Sequence, residues 1–180
     1  MSVLLETERL LLRYPRAADI SQFLPLINDF DVSKNLSRVP HPYTEDDACA
    51  FIVSIRHAIR EGTDHAFAIL LKDGAFIGLC GIHPERGWEF GYWYGKPYWG
   101  QGYATEAGLR VVTYAFDELN AETLKASWFH DNPRSGHVLA KLGFQSVGEG
   151  EIACVSRACM VDCHLVELDR ATYMTRKKAA

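Results

Sequence analysis

Gly100-Gln101-Gly102 runs straight into a segment where Ala104, Ala107, Gly108, Val111, Val112, Ala115, Phe116 and Leu119 recur at spacings of three and four. That spacing predicts a helix with one buried face. A glycine-rich turn feeding such a helix leaves several backbone N–H groups without intrahelical partners. The helix dipole adds partial positive charge at the same place. Glycine also tolerates positive φ and lets a ligand approach the backbone closely. The turn is therefore built as an anion site of the kind that holds phosphate, the alternative being a purely structural turn. Two phosphate-binding alternatives fail on residue identity. No Gly-x4-Gly-Lys-Ser/Thr run is present, and Thr105 stands where a dinucleotide fingerprint requires Gly or Ala.

The rest of the chain supplies the elements around this turn. Leu4 to Tyr14 reads as a first strand. Asp19 to Asp29 reads as a helix interrupted by Pro25, and residues 31–43 show no periodicity. Thr44 with Asp47 three residues on marks a capped helix that Gly62 ends. His65–Lys72, Ala75–His83 and Trp88–Tyr94 read as consecutive strands, with Asp73-Gly74 as a hairpin turn. Gly91 inside the third of these predicts a bulge or a close backbone approach. After the long helix, Thr123–His130 is a strand, and Asn132-Pro133 opens a helix that stops at Gly143. Phe144–Val147 and Met160–Leu168 close the chain. The order β-α-α-β-β-β-α-β-α-β-β predicts a mixed α/β domain with a largely antiparallel sheet. One parallel pair would be joined across the 104–119 helix.

A chain of 180 residues is one domain with room for a core. Its formal charge of −4 argues against general nucleic-acid binding. No apolar run is long enough to span a membrane, and no leader pattern is visible, so a cytoplasmic location is expected. Five cysteines, an odd number set mostly in apolar patterns, fit buried thiols in a reducing compartment. Cys159, Cys163 and His164 are the one combination with ligand chemistry. On a strand His164 points away from the two thiols, and no fourth ligand is evident, so no metal is expected.

Pro97-Tyr98-Trp99-Gly100-Gln101-Gly102-Tyr103-Ala104-Thr105-Glu106-Ala107 resembles the acetyl-CoA pyrophosphate loop of the GNAT N-acetyltransferases, most closely the Rim type that acetylates N-termini of ribosomal proteins. The last two fixed positions of Gln/Arg-x-x-Gly-x-Gly/Ala fall on Gly102 and Ala104. The first falls on Trp99, a departure the Rim type shares. Thr7 to Arg13, Asn132 to Ser135 leading to Lys141-Leu142-Gly143-Phe144, and the strand around Asp162 are also similar. The resemblance covers roughly residues 5 to 172. It implies a single GNAT domain over 1–172, with 173–180 a disordered basic tail. It implies a mostly antiparallel twisted sheet of six to seven strands, about four helices and a splayed central strand pair. The splay would fall at Gly91 and take the cofactor's pantetheine arm.

The implied activity is direct transfer of acetyl from acetyl-CoA to a primary amine, on a protein N-terminus or a small molecule. The alternative is a non-catalytic acyl-CoA-binding module. No nucleic acid or membrane partner is implied, and a homodimer is left open. The resemblance assigns cofactor contacts to Tyr92, Trp93, Tyr94, Trp99, Gly100, Gln101, Gly102, Tyr103, Ala104, Thr105 and Asn132. Glu89, on the strand before the splay, is the first candidate for general base, and His83 is the second. Some Rim-type members draw the base from the strand after Gly-Phe, which falls near Cys154 here, with Glu149 and Glu151 the nearest carboxylates. Ser135 is the candidate proton donor to the thiolate, since the tyrosine many members use four residues before Gly-Phe is Leu139. The competing reading of Ser135 is a hydroxyl bonded within its own helix turn. A free α-amine with pKa near 8 is roughly a tenth neutral at pH 7, and lysine far less, so an N-terminal amine asks less of a base.

Overall fold

The computed structural model describes residues 3–84 and 87–179. Its strands are β1 (Leu4–Glu6), β2 (Leu10–Arg13), β3 (His65–Leu71), β4 (Phe76–His83), β5 (Glu89–Tyr94), β6 (Thr123–Phe129), β7 (Gln145–Cys154) and β8 (Cys159–Asp169). They form one sheet in the order β1-β2-β3-β4-β5-β6-β8-β7, antiparallel at every pairing except β5–β6. The helices are α1 (Ile20–Ile27), α2 (Phe30–Ser33), α3 (Glu45–Glu61), α4 (Tyr103–Thr113), α5 (Pro133–Leu142) and α6 (Arg170–Ala179). One core lies between the sheet and α4–α5, built on Phe67, Ile69, Ile77, Val111 and Phe116. A second lies under α1 and α3, around Phe23, Ile52, Phe76 and Leu79.

The helix ends follow the local chemistry. Thr44 and Asp47 form a reciprocal capping box on α3, and Gly62 ends it at φ 72°. Pro25 lies in the last turn of α1, which stops two residues later. After α4 the helix widens into a π turn over Tyr114–Glu118.

Several expectations are corrected. The sheet has eight strands among the described residues because Leu4–Tyr14 is two strands. The chain reverses at Thr7–Arg9, where the Thr7 amide donates to the Leu10 carbonyl and the Leu10 amide donates to Thr7 Oγ1. A side-chain latch described below holds that reversal, and hydropathy alternation does not record it. β7 also runs through Cys154, seven residues past its expected end, with a register shift at Ser146/Gly148. Among the described residues the α-helices number six rather than about four, α2 being a single turn and α6 the addition. Residues 170–179, assigned to a tail from 173, form α6. Only Tyr173 of that helix is buried, so its periodicity is too sparse to read, and residue 180 lies outside the described residues. Trp88 precedes β5 with φ 63°.

Gly91 makes no bulge. The β4–β5 register runs unbroken through Gly81↔Gly91, and a Cβ on Gly91 would meet only His83 Nε2, at 3.9 Å. Close approach occurs instead at Gly81, where a Cβ would sit 2.6 Å from Ala66 Cα.

Candidate active site

β5 and β6 pair only at Glu89↔Lys125, where the Lys125 amide donates to the Trp88 carbonyl. Beyond that point the strands part, and β5 from Gly91 to Tyr94 has no partner on this side. Two cavities open around the gap. One of about 600 Å³ is lined by Tyr92, Trp93, Tyr94, Trp99, Gly100, Gly102, Tyr103, Ala104, Thr105 and Asn132, together with Arg134, His137 and Lys141 of α5. The other, about 500 Å³, is lined by Phe23, Ile27, Arg38, Tyr43, Phe51, His83, Glu89, Gly91 and Phe129. Asn35, Leu36, Tyr92, Trp93, Asn132 and Ser135 line both.

The larger cavity is built on the glycine turn. Gly100 and Gly102 sit at φ 73° and 83°, where a side chain would be strained. Gly102 is the N-cap of α4, and no side chain caps the first-turn amides. Glu106, which would oppose an anion, is occupied elsewhere. Its carboxylate accepts from the Thr7 hydroxyl (2.6 Å), the Arg9 amide (2.9 Å) and Arg9 Nε (2.6 Å). Arg9 also donates to the Gln101 carbonyl and lies 4.5 Å over the Tyr103 ring. Burial alone would raise the Glu106 carboxyl, but these hydrogen bonds outweigh it and leave it below its ordinary range. Trp99 is fixed by its indole N–H on the Tyr94 carbonyl, 2.7 Å away. Tyr94 carries a buried hydroxyl with no protein partner, and burial holds its phenol far above the ordinary value. Of the expected cofactor residues only Gln101 stays outside this cavity. Its side-chain amide donates to the Pro97 carbonyl and closes the turn from within.

At the junction, Asn132 is the N-cap of α5 yet makes no capping bond, so its amide remains available. The Ser135 hydroxyl is not spent on its own helix turn. It lies 2.8 Å from the Tyr92 hydroxyl, which is also 3.3 Å from the Ser135 carbonyl. Burial pushes the Tyr92 phenol well up and outweighs the lowering effect of Ser135, so the pair holds its protons at neutral pH.

On the wall of the smaller cavity Glu89 and His83 are cross-strand partners on one face. Glu89 is paired with Arg38 at 3.3 Å. His83 Nδ1 is 2.5 Å from Asp64 Oδ2. The junction segment 33–37 is pinned by the β7–β8 turn. Arg157 Nε donates to the Lys34 carbonyl (2.6 Å), the Ser156 hydroxyl to the Ser33 carbonyl (3.0 Å), and the Val155 amide to the Ser37 carbonyl (3.0 Å). Cys154 is buried beside these carbonyls, while Glu149 and Glu151 lie elsewhere on β7. Sequence reading missed Asp64, Asn35, Leu36 and the Tyr92–Ser135 pairing. The first lies at a strand end and the next two lie in aperiodic chain, while the pairing spans 43 residues.

His164 points away from the two thiols, as expected on a strand. Cys163 is buried with Phe129 and Cys154, and Cys159 is exposed. His164 stacks with Trp128 and with His130 on the other face, both at 4.1 Å, and Glu149 Oε1 is 3.5 Å from His164. The ligand-capable atoms of His130, Glu149 and His164 all lie within 4.8 Å of one another.

A family model described as an acetyltransferase (GNAT) domain matches residues 9–145. The chain belongs to the GNAT acetyltransferase family. This GNAT chain is 30% identical over 175 residues to the uncharacterized N-acetyltransferase p20 of Bacillus licheniformis, covering 94% of this chain and 97% of that protein. Its fold is that of ribosomal-protein-S5-alanine acetyltransferase from Vibrio fischeri (TM-score 0.80, 19% identity, 93% and 96% coverage). It is also that of spermidine N-acetyltransferase from Vibrio cholerae, solved with CoA and spermine (TM-score 0.78, 19% identity, 93% and 99% coverage). The GNAT domain is thus an acetyl-CoA-dependent N-acetyltransferase. Among the described residues no helix is long and apolar enough to cross a membrane.

Proposed function

We propose that acetyl-CoA occupies the larger cavity and that a compact primary amine with an apolar body, such as a peptide N-terminus, occupies the smaller one. The meeting of the two cavities at Tyr92, Asn132 and Ser135 carries this reading. The free first-turn amides of α4 and the cations of α5 fit a pyrophosphate, and the unpaired β5 backbone and Asn132 fit an amide-rich arm. The amine nitrogen attacks the thioester carbonyl at the junction. A C–N bond forms, the C–S bond breaks, and the thiolate takes a proton from Ser135, which Tyr92 resupplies by donating its O–H to the serine oxygen while recovering a proton from solvent at the open junction. No cysteine lines either cavity except buried Cys80, whose thiol is held high by burial, which supports direct transfer without an acyl-enzyme.

The apolar acceptor follows from charge and surface. The wall is more apolar than polar, with Phe23, Ile27, Phe51, Trp93 and Phe129 among its residues. Both carboxylates there are engaged, Asp47 in the α3 cap and Glu89 with Arg38. A polyamine would bring extra ammonium groups with no free carboxylate to meet them, and burying an unpaired charge is costly. Thiol release on a panel of peptides with varied N-terminal residues, alkyl and aryl amines, and spermidine tests this. Apolar amines or peptides are expected to exceed spermidine in kcat/KM by about tenfold or more. Spermidine as the best substrate would reverse the assignment.

A further inference from the structure

Resting on that reading of the site, we propose that His83 is the general base that takes the amine's proton and that Asp64 is the residue positioning it. Asp64 precedes β3 and His83 ends β4, and the antiparallel register brings these two strand ends together, with His65 opposite Ile82. The approach is built by the end of α3. Gly62 turns the chain at φ 72°, and the Thr63 amide and hydroxyl both donate to the Ala58 carbonyl, delivering Asp64 to the sheet edge. Asp64 is 9% exposed, with Oδ2 on His83 Nδ1 and Oδ1 buried without a partner among the described residues. A buried carboxylate facing Nδ1 keeps the ring proton on that nitrogen, which leaves the Nε2 lone pair free. Nε2 stands over Gly91, and both His83 and Gly91 line the acceptor cavity. The glycine therefore has a different use from the expected bulge, since a longer side chain there would cover the imidazole.

Glu89 is the competing base, one cross-strand position away, but it faces the Arg38 guanidinium. One candidate is thus tied to a cation and the other is oriented by an anion. Among the described residues, the other ionisable groups beside the dyad are His65 and Tyr14, with Tyr114 behind them on His65 Nδ1. Burial keeps His65 below its ordinary value against the pull of Asp64, and burial raises both phenols, so these neighbours add no charge at neutral pH. In the reaction the amine's N–H proton passes to Nε2 as the C–N bond forms. Asp64 stabilises the imidazolium, which then releases the proton to water.

A structural role is the competing explanation, because the pair also ties β3 to β4. Asp64→Asn, His83→Gln and Glu89→Gln should be compared with the wild type for kcat against pH, acetyl-CoA affinity and melting temperature. The protonated ring nitrogen of His83 should be read by ¹⁵N NMR. The expected result is a 10²–10⁴-fold loss of kcat in both dyad variants with acetyl-CoA affinity retained. The acidic limb of the profile should vanish in His83→Gln and persist in Glu89→Gln, and the Nδ1–H tautomer should be lost in Asp64→Asn. A limb that disappears in Glu89→Gln and survives in His83→Gln would give the base to Glu89. Dyad variants that melt early but keep kcat and the limb would make the pair structural. A wild type that acetylates no amine would overturn the functional reading itself, and the proposal with it.

Discussion

Ser135→Ala removes the hydroxyl that sits between Tyr92 and the cavity junction, and its effect should appear in turnover rather than in binding. Removal of a general acid is typically worth about 10²–10⁴-fold, but a thiol with pKa near 8.5 leaves readily at neutral pH. The expected loss in kcat is about tenfold to a hundredfold, with KM for acetyl-CoA little changed. Tyr92→Phe should lose less, because the serine can still donate, and steady-state kinetics on both variants checks the order. Gly102→Val acts differently. Its backbone is left-handed at φ 83°, and a Cβ there would meet only Arg9 Nη2 at 3.4 Å, so strain rather than collision reshapes the turn. Calorimetry should find acetyl-CoA binding lost in a protein that remains folded. The sequence made these residues visible because glycine spacing and the Asn132-to-Ser135 step are local. Tyr92 and Ser135 are 43 residues apart, and His83 and Asp64 are 19 apart across two strand ends. Which side chain meets which is decided by register, and register is what a linear pattern shows least.

At the level of elements, two side-chain latches place the loops that matter. The first joins the β1–β2 reversal to α4 through Thr7, Arg9 and Glu106. Glu106→Gln should weaken acetyl-CoA binding by about tenfold, since a hydrogen bond to a charged group is worth roughly 1.5–3 kcal/mol. The same change carries a pH signature. The folded Glu106 carboxyl lies below its ordinary value, so its contribution to stability is complete above the unfolded pKa, about 4.3, and is lost as pH falls through the folded one. The melting-temperature gap between wild type and Glu106→Gln should therefore be widest near neutrality and close in acid. The second latch is Arg157, which holds the Lys34 carbonyl and the Asp131 carboxylate together. Arg157→Ala should raise KM for the amine by about tenfold and weaken acetyl-CoA binding as well, because Asn35 and Leu36 of the pinned segment line both cavities, as separate titrations of each substrate would show. Element positions were largely legible: the α3 caps, the hairpin at Asp73-Gly74 and Gly143 at the end of α5 all lie where local chemistry puts them. The β1–β2 reversal was not, because its determinant is a carboxylate 97 residues away.

Across the whole molecule, the sheet is continuous except where β5 and β6 part, and both flanking layers are needed to hold that opening. α4 presents the glycine turn, and α5 presents Asn132 and Ser135. α6 braces both from behind. Tyr173 stacks on Phe116 at 4.6 Å and 15° and donates to Asp117, and Lys177 reaches the same carboxylate. Arg170 donates to the Phe116 and Ala121 carbonyls at the π turn that ends the α4 helix. Arg176 donates to the Lys141 carbonyl at the close of α5. A helix whose sequence looks like a basic tail thus ties together the far ends of the two helices that carry the site. Tyr173→Ala tests the brace. Removing a buried aromatic ring costs about 3–5 kcal/mol, and Tyr173 at the edge of the core should fall near the lower bound. For a chain of this length that lowers the melting temperature by roughly 6–12 °C. The glycine turn and the Tyr92–Ser135 contact lie at the opposite ends of α4 and α5, so turnover at 25 °C should stay near the wild-type value in the folded fraction. Thermal melts and kinetics on one preparation decide this. A variant that melts normally would mean that α6 lies on the domain without bracing it, and one that melts normally yet loses turnover would mean that its contacts act on the site directly.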